Sequence, residues 1–201
     1  LDVSDTVRLV QERGRLMQEA CDQRQGTMVA ILGLGQEIVE DISSETGTYV
    51  SNVNTEEQIV VSGDREAVTR AMDVASARGA KKVVPLRVSG AFHSVLMKPA
   101  VSGLKDAIGK LSFKDPLIPI VANCTGKPIT KAKDVKQELI SQVSSCVMWK
   151  KSIDYIIGSG TSCLVEIGPG KALSSMVRRI DRTVGASSIG DFKSIINLRS
   201  N

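Results

Sequence analysis

Between Thr27 and Val88 the apolar period of the chain alternates between two and about 3.6, and that alternation restricts the fold more than any other feature. Thr27 to Leu32 is a short β-rich run and Gln36 to Ser44 has helical spacing. Thr48 to Val53 and Gln58 to Ser62 read as two strands joined by the polar turn Asn54-Thr55-Glu56-Glu57. Asp64 to Arg78 reads as a helix and Lys81 to Val88 as a strand. Asp64 is the expected N-cap of that helix, Ala67, Val68, Ala71, Met72 and Ala75 its buried stripe, and Gly79 the left-handed residue after it. The order βαββαβ is the split-βαβ, ferredoxin-like plan, in which about 60 residues form a four-stranded antiparallel sheet with two helices on one face.

The flanking residues follow a different plan. Residues 5 to 21 predict an amphipathic helix with Val3, Val7, Val10, Gly14, Met17 and Cys21 along one stripe, capped by Ser4 or Asp5. After the central unit, Leu96 to Leu111 predicts a helix that tolerates Pro99 because the proline falls in its first turn. Ile118 to Ala122 predicts a short buried strand, and its unbroken apolar character suggests a central parallel strand covered on both faces. Helices are expected at about 134 to 144 and 149 to 158, then a strand from Ser162 to Ile167 and a helix ending near Ile180. Beyond Asp181 a loosely packed tail is expected. Strand and helix alternating in this way indicate an α/β fold with a parallel sheet.

Composition narrows the function classes. The 201 residues are 42% hydrophobic and 24% charged, which suits a soluble globular chain. No apolar run approaches the roughly 20 residues that span a bilayer, and the N-terminus lacks the pattern of a signal peptide, so no membrane role is expected. The expected compartment is the cytoplasm, or the matrix of a plastid or mitochondrion in a eukaryote. Cys21, Cys124, Cys146 and Cys163 have no paired ligand spacing, so buried free thiols are expected rather than a zinc site or disulfides, and no metal is implied. A net charge of +4 with only 3% aromatic residues argues against nucleic acid and for an acidic partner or an anionic substrate.

His93 is the only histidine. It lies in Ser89-Gly90-Ala91-Phe92-His93-Ser94-Val95-Leu96-Met97-Lys98-Pro99, at the mouth of a predicted helix, and is the first candidate for proton transfer near neutral pH. A lone histidine also occurs as an ordinary core or surface residue. Arg13 lies at the edge of the first helix's apolar stripe, where its stem can cover apolar surface and its guanidinium reach a cleft, or simply stay solvated. Gly168-Pro169-Gly170 reads as a strand-to-helix turn lacking the rest of either nucleotide fingerprint, and it is expected to shape the wall beside His93. Arg178 and Arg179 end the next helix, where cations offset its dipole.

Gly90-Ala91-Phe92-His93-Ser94 with Leu96-Met97-Lys98-Pro99-Ala100, and Glu166-Ile167-Gly168-Pro169-Gly170-Lys171-Ala172-Leu173, resemble the two signatures of the malonyl-CoA:acyl carrier protein transacylases. The resemblance covers essentially all 201 residues. It implies a small ferredoxin-like subdomain, here 25–88, inserted in a larger hydrolase-like α/β domain, here 1–24 and 89–201, with a cleft between the two. Members of this family also carry a Gly-x-Ser-x-Gly nucleophile segment, a pattern these residues lack, and the chain begins with Leu1. The expectation is therefore the C-terminal two-thirds of a transacylase, inactive without its serine. Asn52-Val53-Asn54 and Gln58 resemble a family strand pair, but Thr55-Glu56-Glu57 replaces Ser-Pro-Gly there and leaves no clear role for Asn54.

The resemblance further implies that His93 is the base for the serine and that the main-chain carbonyl of Gln142 orients its ring. On sequence alone Gln142 reads equally well as an exposed helix residue. Glu12-Arg13-Gly14 with Leu16-Met17 matches the segment whose arginine grips the malonyl carboxylate. Phe92 matches the malonyl-selective version of the motif, where its ring opposes an α-methyl branch, and core packing is its other reading. No cofactor beyond the substrate malonyl-CoA is implied. Acyl carrier protein is the implied partner, with Arg178 and Arg179, helped by Lys171 or Lys98, as a docking patch on a monomer. The alternative function is a non-catalytic module that binds acyl carrier protein.

Overall fold

The computed structural model describes residues 1–192, 194 and 195. The central unit is built from β1 (Thr27–Leu32), α2 (Gln36–Thr46), β2 (Tyr49–Thr55), β3 (Gln58–Gly63), α3 (Arg65–Ala77) and β4 (Lys82–Pro85), following α1 (Val3–Gln23). The strands form one antiparallel sheet in the order β2-β3-β1-β4, with Val29 opposite Val61 and Ile31 opposite both Ile59 and Val83. One face of the sheet packs Val29, Ile31, Ile59 and Val61 against Val39 and Ile42 of α2 and Val68, Ala71 and Ala75 of α3. The other face is covered too: Met28, Ala30 and Val60 meet Leu86 and Phe92. Burial on both faces explains why β1 reads as an unbroken apolar run.

Asp64 occupies the N-cap position of α3 but makes no capping hydrogen bond. Its carboxylate instead accepts two hydrogen bonds from the Arg24 guanidinium, at 3.1 and 2.7 Å. A bidentate charged partner outcompetes the backbone amide. Met72 of the expected stripe is only half-buried, while Gly79 takes the left-handed conformation at φ 88°.

The second body contains α4 (Lys98–Gly109), β5 (Ile120–Val121), β6 (Pro128–Ile129), α5 (Ala132–Gln142), α6 (Trp149–Gly158), β7 (Cys163–Ile167), α7 (Ala172–Ile180) and β8 (Gly185–Ile189). Its core joins Leu9, Leu16, Met17, Ala20 and Cys21 of α1 to Ala100, Leu104 and Ile108 of α4 and to Val143. That corrects the first-helix stripe: Val3, Val7 and Val10 are exposed, and the cap is Asp2, whose Oδ1 accepts from the Asp5 amide at 2.7 Å. Met17 and Cys21 of the expected stripe are buried, and Leu9, Leu16 and Ala20 complete the face that packs.

Two further expectations fail. Ile118 is exposed, and β5 pairs only with β6, antiparallel over two residues, so no buried central strand forms there among the described residues. The chain beyond Asp181 is not a loose tail, because Gly185–Ile189 pairs in parallel with β7 along its whole length. Its small polar residues Ser187 and Ser188 hide a strand that only a neighbour's open edge stabilises. The two bodies are tied together at the β2 edge. The Val147 amide donates to the Ser51 carbonyl at 2.8 Å and the Val53 amide to the Val147 carbonyl at 2.9 Å. None of the described helices is long and apolar enough to cross a membrane.

Candidate active site

Three elements that share the α1–α4 core deliver the candidate residues. On α1, Leu16 and Met17 point into that core, and Arg13, one turn earlier, emerges half-buried beside it. Ala91, fully buried in the same core, anchors the loop that leads to His93. Val143, also fully buried, pins the end of α5 and so fixes the residue before it, Gln142.

His93 is the one described non-glycine residue with a positive φ, 57°. Left-handed backbone at a β-carbon-bearing residue is uncommon and persists where the surroundings impose it. Here Ser94 braces the chain on both sides of it. Its buried hydroxyl donates to the Ala91 carbonyl at 2.6 Å and accepts from the Leu96 amide at 3.3 Å, closing a 3-10 turn over Val95–Met97 that runs into α4. The motif does not announce this role of Ser94, although a serine just before a helical run is a capping signal. With its hydroxyl committed in this way, Ser94 is a cap and not a nucleophile.

The imidazole Nδ1 lies 3.0 Å from the Gln142 carbonyl and 3.0 Å from the Gln142 side-chain Nε2. The Arg13 Nη2 donates to the Gln142 Oε1 at 2.7 Å. Arg13, Gln142 and His93 therefore form one connected network, and the Gln142 side chain is a participant that sequence analysis did not foresee. Burial pushes the His93 pKa below its ordinary value, the Gln142 carbonyl pulls it up, and the Arg13 charge lowers it further. The net effect is downward, which favours the neutral ring near pH 7. Burial also lowers the Arg13 value, yet a guanidinium stays charged.

Arg13, Gly14, Met17, Gln18, Phe92 and His93 line an open cavity of about 350 Å³. The Phe92 ring is half-buried, packed against both the α1–α4 core and the outer face of the sheet, so core packing and cavity lining are both true of it. Gly168-Pro169-Gly170 is not among the residues lining that cavity. Pro169 and Gly170 instead line another, of about 500 Å³, with Lys171 and Arg178. Glu166 explains much of that motif: its carboxylate accepts from the Leu173 and Ser174 amides at 3.1 and 2.9 Å and caps α7 from the neighbouring strand. These amide bonds, the Ser174 one foremost, hold its carboxyl below the usual range.

Arg178 and Arg179 are exposed but engaged, Arg178 with the Ala186 carbonyl and Arg179 with Gln58 Oε1 at 3.0 Å. Burial pushes the Cys124 thiol up to about 12 and the Cys146 thiol up to about 11, so neither competes as a thiolate nucleophile.

A neutral histidine with its Nδ1 in contact with Gln142 shares one cleft with an arginine, a pairing that can serve proton transfer beside a bound anion. This is the class of site that acyl transfer uses. The comparisons identify the family. The acyl transferase domain profile matches residues 1–195, and the chain belongs to that family. It is 38% identical over 200 residues to the malonyl CoA-acyl carrier protein transacylase of Bacillus subtilis (strain 168), covering 97% of this chain and 63% of that protein. The malonyl CoA-acyl carrier protein transacylase of Clostridium perfringens superposes with a TM-score of 0.95 at 33% identity, over 100% of this chain and 64% of that one. A malonyl-transacylase solved in complex with a type II PKS acyl-carrier protein superposes at 0.94 with 36% identity, over 100% and 67% respectively. The chain thus spans less than two-thirds of the length of the curated relatives it matches.

Proposed function

We propose that this chain carries the base and carboxylate-binding parts of an enzyme that moves a malonyl group from malonyl-CoA to the phosphopantetheine thiol of acyl carrier protein. The observation that supports it most is the meeting of Arg13 and His93 in one cleft, although 80 residues separate them in sequence. A serine outside these 201 residues attacks the thioester carbon while His93 Nε2 takes its proton. The coenzyme A thiolate leaves and receives that proton, giving a malonyl ester on the serine. The carrier-protein thiol then attacks the ester, His93 removes the thiol proton, and the same proton returns to the serine oxygen as it departs.

In this reading the Gln142 carbonyl accepts from Nδ1–H and leaves Nε2 free to face the serine, the part that aspartate plays in a serine triad. Arg13 presents a planar fork to the free malonyl carboxylate. The Phe92 ring stands where an α-methyl branch would crowd it. Arg178 and Arg179 each retain unused N–H donors for an acidic carrier protein. Residues 25–88 form the ferredoxin-like subdomain, and 1–24 with 89–201 belong to a larger hydrolase-like domain. The exposure of Leu117, Ile118, Val165 and Ile167 is in keeping with a sheet that extends past these residues.

Intact-protein mass spectrometry after mixing with malonyl-CoA tests the reading, on this chain and on one extended upstream along its gene. A malonyl adduct on the extended chain that His93→Ala abolishes, with none on the 201 residues, is the expected result. No adduct on either, with retained binding to acyl carrier protein, would instead make the chain a docking module.

A further inference from the structure

The Gln142 side chain sits between the two residues that the proposed reaction relies on, and its donor and acceptor ends are assigned by chemistry. Arginine has donors only, so the amide atom 2.7 Å from Arg13 Nη2 must be the oxygen. The NH2 group is then the atom left 3.0 Å from His93 Nδ1. An NH2 group can only donate, so in this arrangement it requires an Nδ1 without a proton. The Gln142 main-chain carbonyl, also 3.0 Å from Nδ1, can only accept and requires an Nδ1 that carries one. A single ring nitrogen cannot satisfy both. In the neutral ring, the first choice places the proton on Nε2 and removes the lone pair a base needs. The second leaves Nε2 bare and competent.

We propose that Arg13 and Gln142 together form a carboxylate-operated gate on His93. With Arg13 bound to Oε1, the amide is locked with its NH2 group toward the ring, and His93 is held in the Nε2–H tautomer that cannot accept a proton from a nucleophile. A carboxylate that takes the Arg13 fork releases Oε1. The amide is then free to turn its oxygen toward the ring or to leave it, the carbonyl prevails, and His93 becomes the Nδ1–H tautomer. The exchange is proton-neutral, since Nε2 gives its proton to water and Nδ1 takes one from water. Gln142 is a positioning residue in this scheme, acting only through His93. The consequence for catalysis is that a substrate lacking a free carboxylate meets a base in the wrong form, which adds to whatever it loses in binding.

This inference rests on the proposed function for the meaning of Arg13, but its core can be tested apart from it. Because His93 is the only histidine, 15N labelling of histidine gives one imidazole whose two nitrogens report the tautomer directly. At pH 7.5 the free chain is expected to show Nδ1 as the unprotonated, pyridine-type resonance. Saturating monomethyl malonate, which has one free carboxylate, is expected to move Nδ1 to the protonated, pyrrole-type position, and dimethyl malonate, which has none, to leave it in place. Arg13→Met, which keeps the apolar stem, and Gln142→Leu are each expected to give pyrrole-type Nδ1 without ligand and to be insensitive to it. A pyrrole-type Nδ1 in the free unmodified chain, or a pyridine-type Nδ1 that survives both substitutions, would overturn the gate. Should the Arg13 side-chain resonance ignore monomethyl malonate while Arg13→Met still switches the ring, the carboxylate clamp fails and the control of His93 by the amide stands.

Discussion

Replacing Gly90 with alanine sets a methyl group where the Cys21 thiol already lies. A Cβ built on Gly90 falls 2.1 Å from Cys21 Sγ, 3.3 Å from Cys21 Cβ and 3.7 Å from the Phe92 ring. Cys21 is buried in the α1–α4 core, so neither side can move away freely. Forcing a methyl group into such packing costs about 1–3 kcal/mol. For a chain of this length that lowers Tm by roughly 2–4 °C for each kcal/mol. Most of the overlap is with the sulfur, so Cys21→Ala should relieve it. Alone, that change removes a few contacts and costs on the order of 1 kcal/mol. In the double variant the cost of Gly90→Ala should shrink by at least about 1 kcal/mol, a coupling well beyond the ~0.5 kcal/mol seen for independent sites. Thermal and urea unfolding of the four proteins, followed by circular dichroism, completes the cycle. Additive costs would refute the argument that glycine is present here to let the His93 loop lie against α1.

Three more outcomes are expected. Ser94→Ala leaves the Ala91 carbonyl and Leu96 amide without their buried partner, and should cost about 1–3 kcal/mol in urea unfolding; an unchanged midpoint would remove Ser94 as the support of the strained turn. The lowered His93 pKa makes stability independent of this residue above the unfolded value of about 6.5 and falling as pH drops below it, because the unfolded chain then binds a proton the folded chain resists. His93→Gln should flatten the stability profile between pH 7 and 5, and an unchanged slope there would refute burial as the dominant cause. In the extended chain, Phe92→Ala should raise the preference for methylmalonyl-CoA over malonyl-CoA by roughly 10- to 200-fold, the ~1–3 kcal/mol a buried methyl contact supplies, as measured by competitive acylation. No change in that ratio would leave Phe92 with packing alone.

The central unit was legible because two periods alternate there and each run is closed by its own punctuation. Thr27 to Gly63 fold close to their expected bounds, and Glu56-Glu57 turns the hairpin between β2 and β3. The α1 stripe misled because valines at positions 3, 7 and 10 have the same spacing as the residues that pack, and periodicity cannot rank two faces of one helix. β8 was illegible for the opposite reason: Gly185 to Ile189 has little strand preference of its own, and its pairing with β7 supplies what the local sequence lacks. His93 and Arg13 are legible in the sequence itself, one as the only histidine and the other at the edge of a helical stripe, while their roles, and those of Phe92 and Gln142, come by motif resemblance. The network that joins them is not legible there.

What the residues alone determined is therefore local and chemical: which segments become helix or strand, the presence of one histidine, and the kinds of group available to accept a proton or hold a carboxylate. Those depend on neighbours a few positions away or on the side chain itself. The tertiary structure decided which face of α1 is buried, that Arg13 and His93 share a cleft, and that Gln142 touches both. Each of these depends on packing between residues 49 to 129 positions apart, where no local pattern carries the information. It also decided the conflict at His93 Nδ1, which exists only because a main-chain carbonyl and a side-chain amide of one residue arrive at the same ring atom.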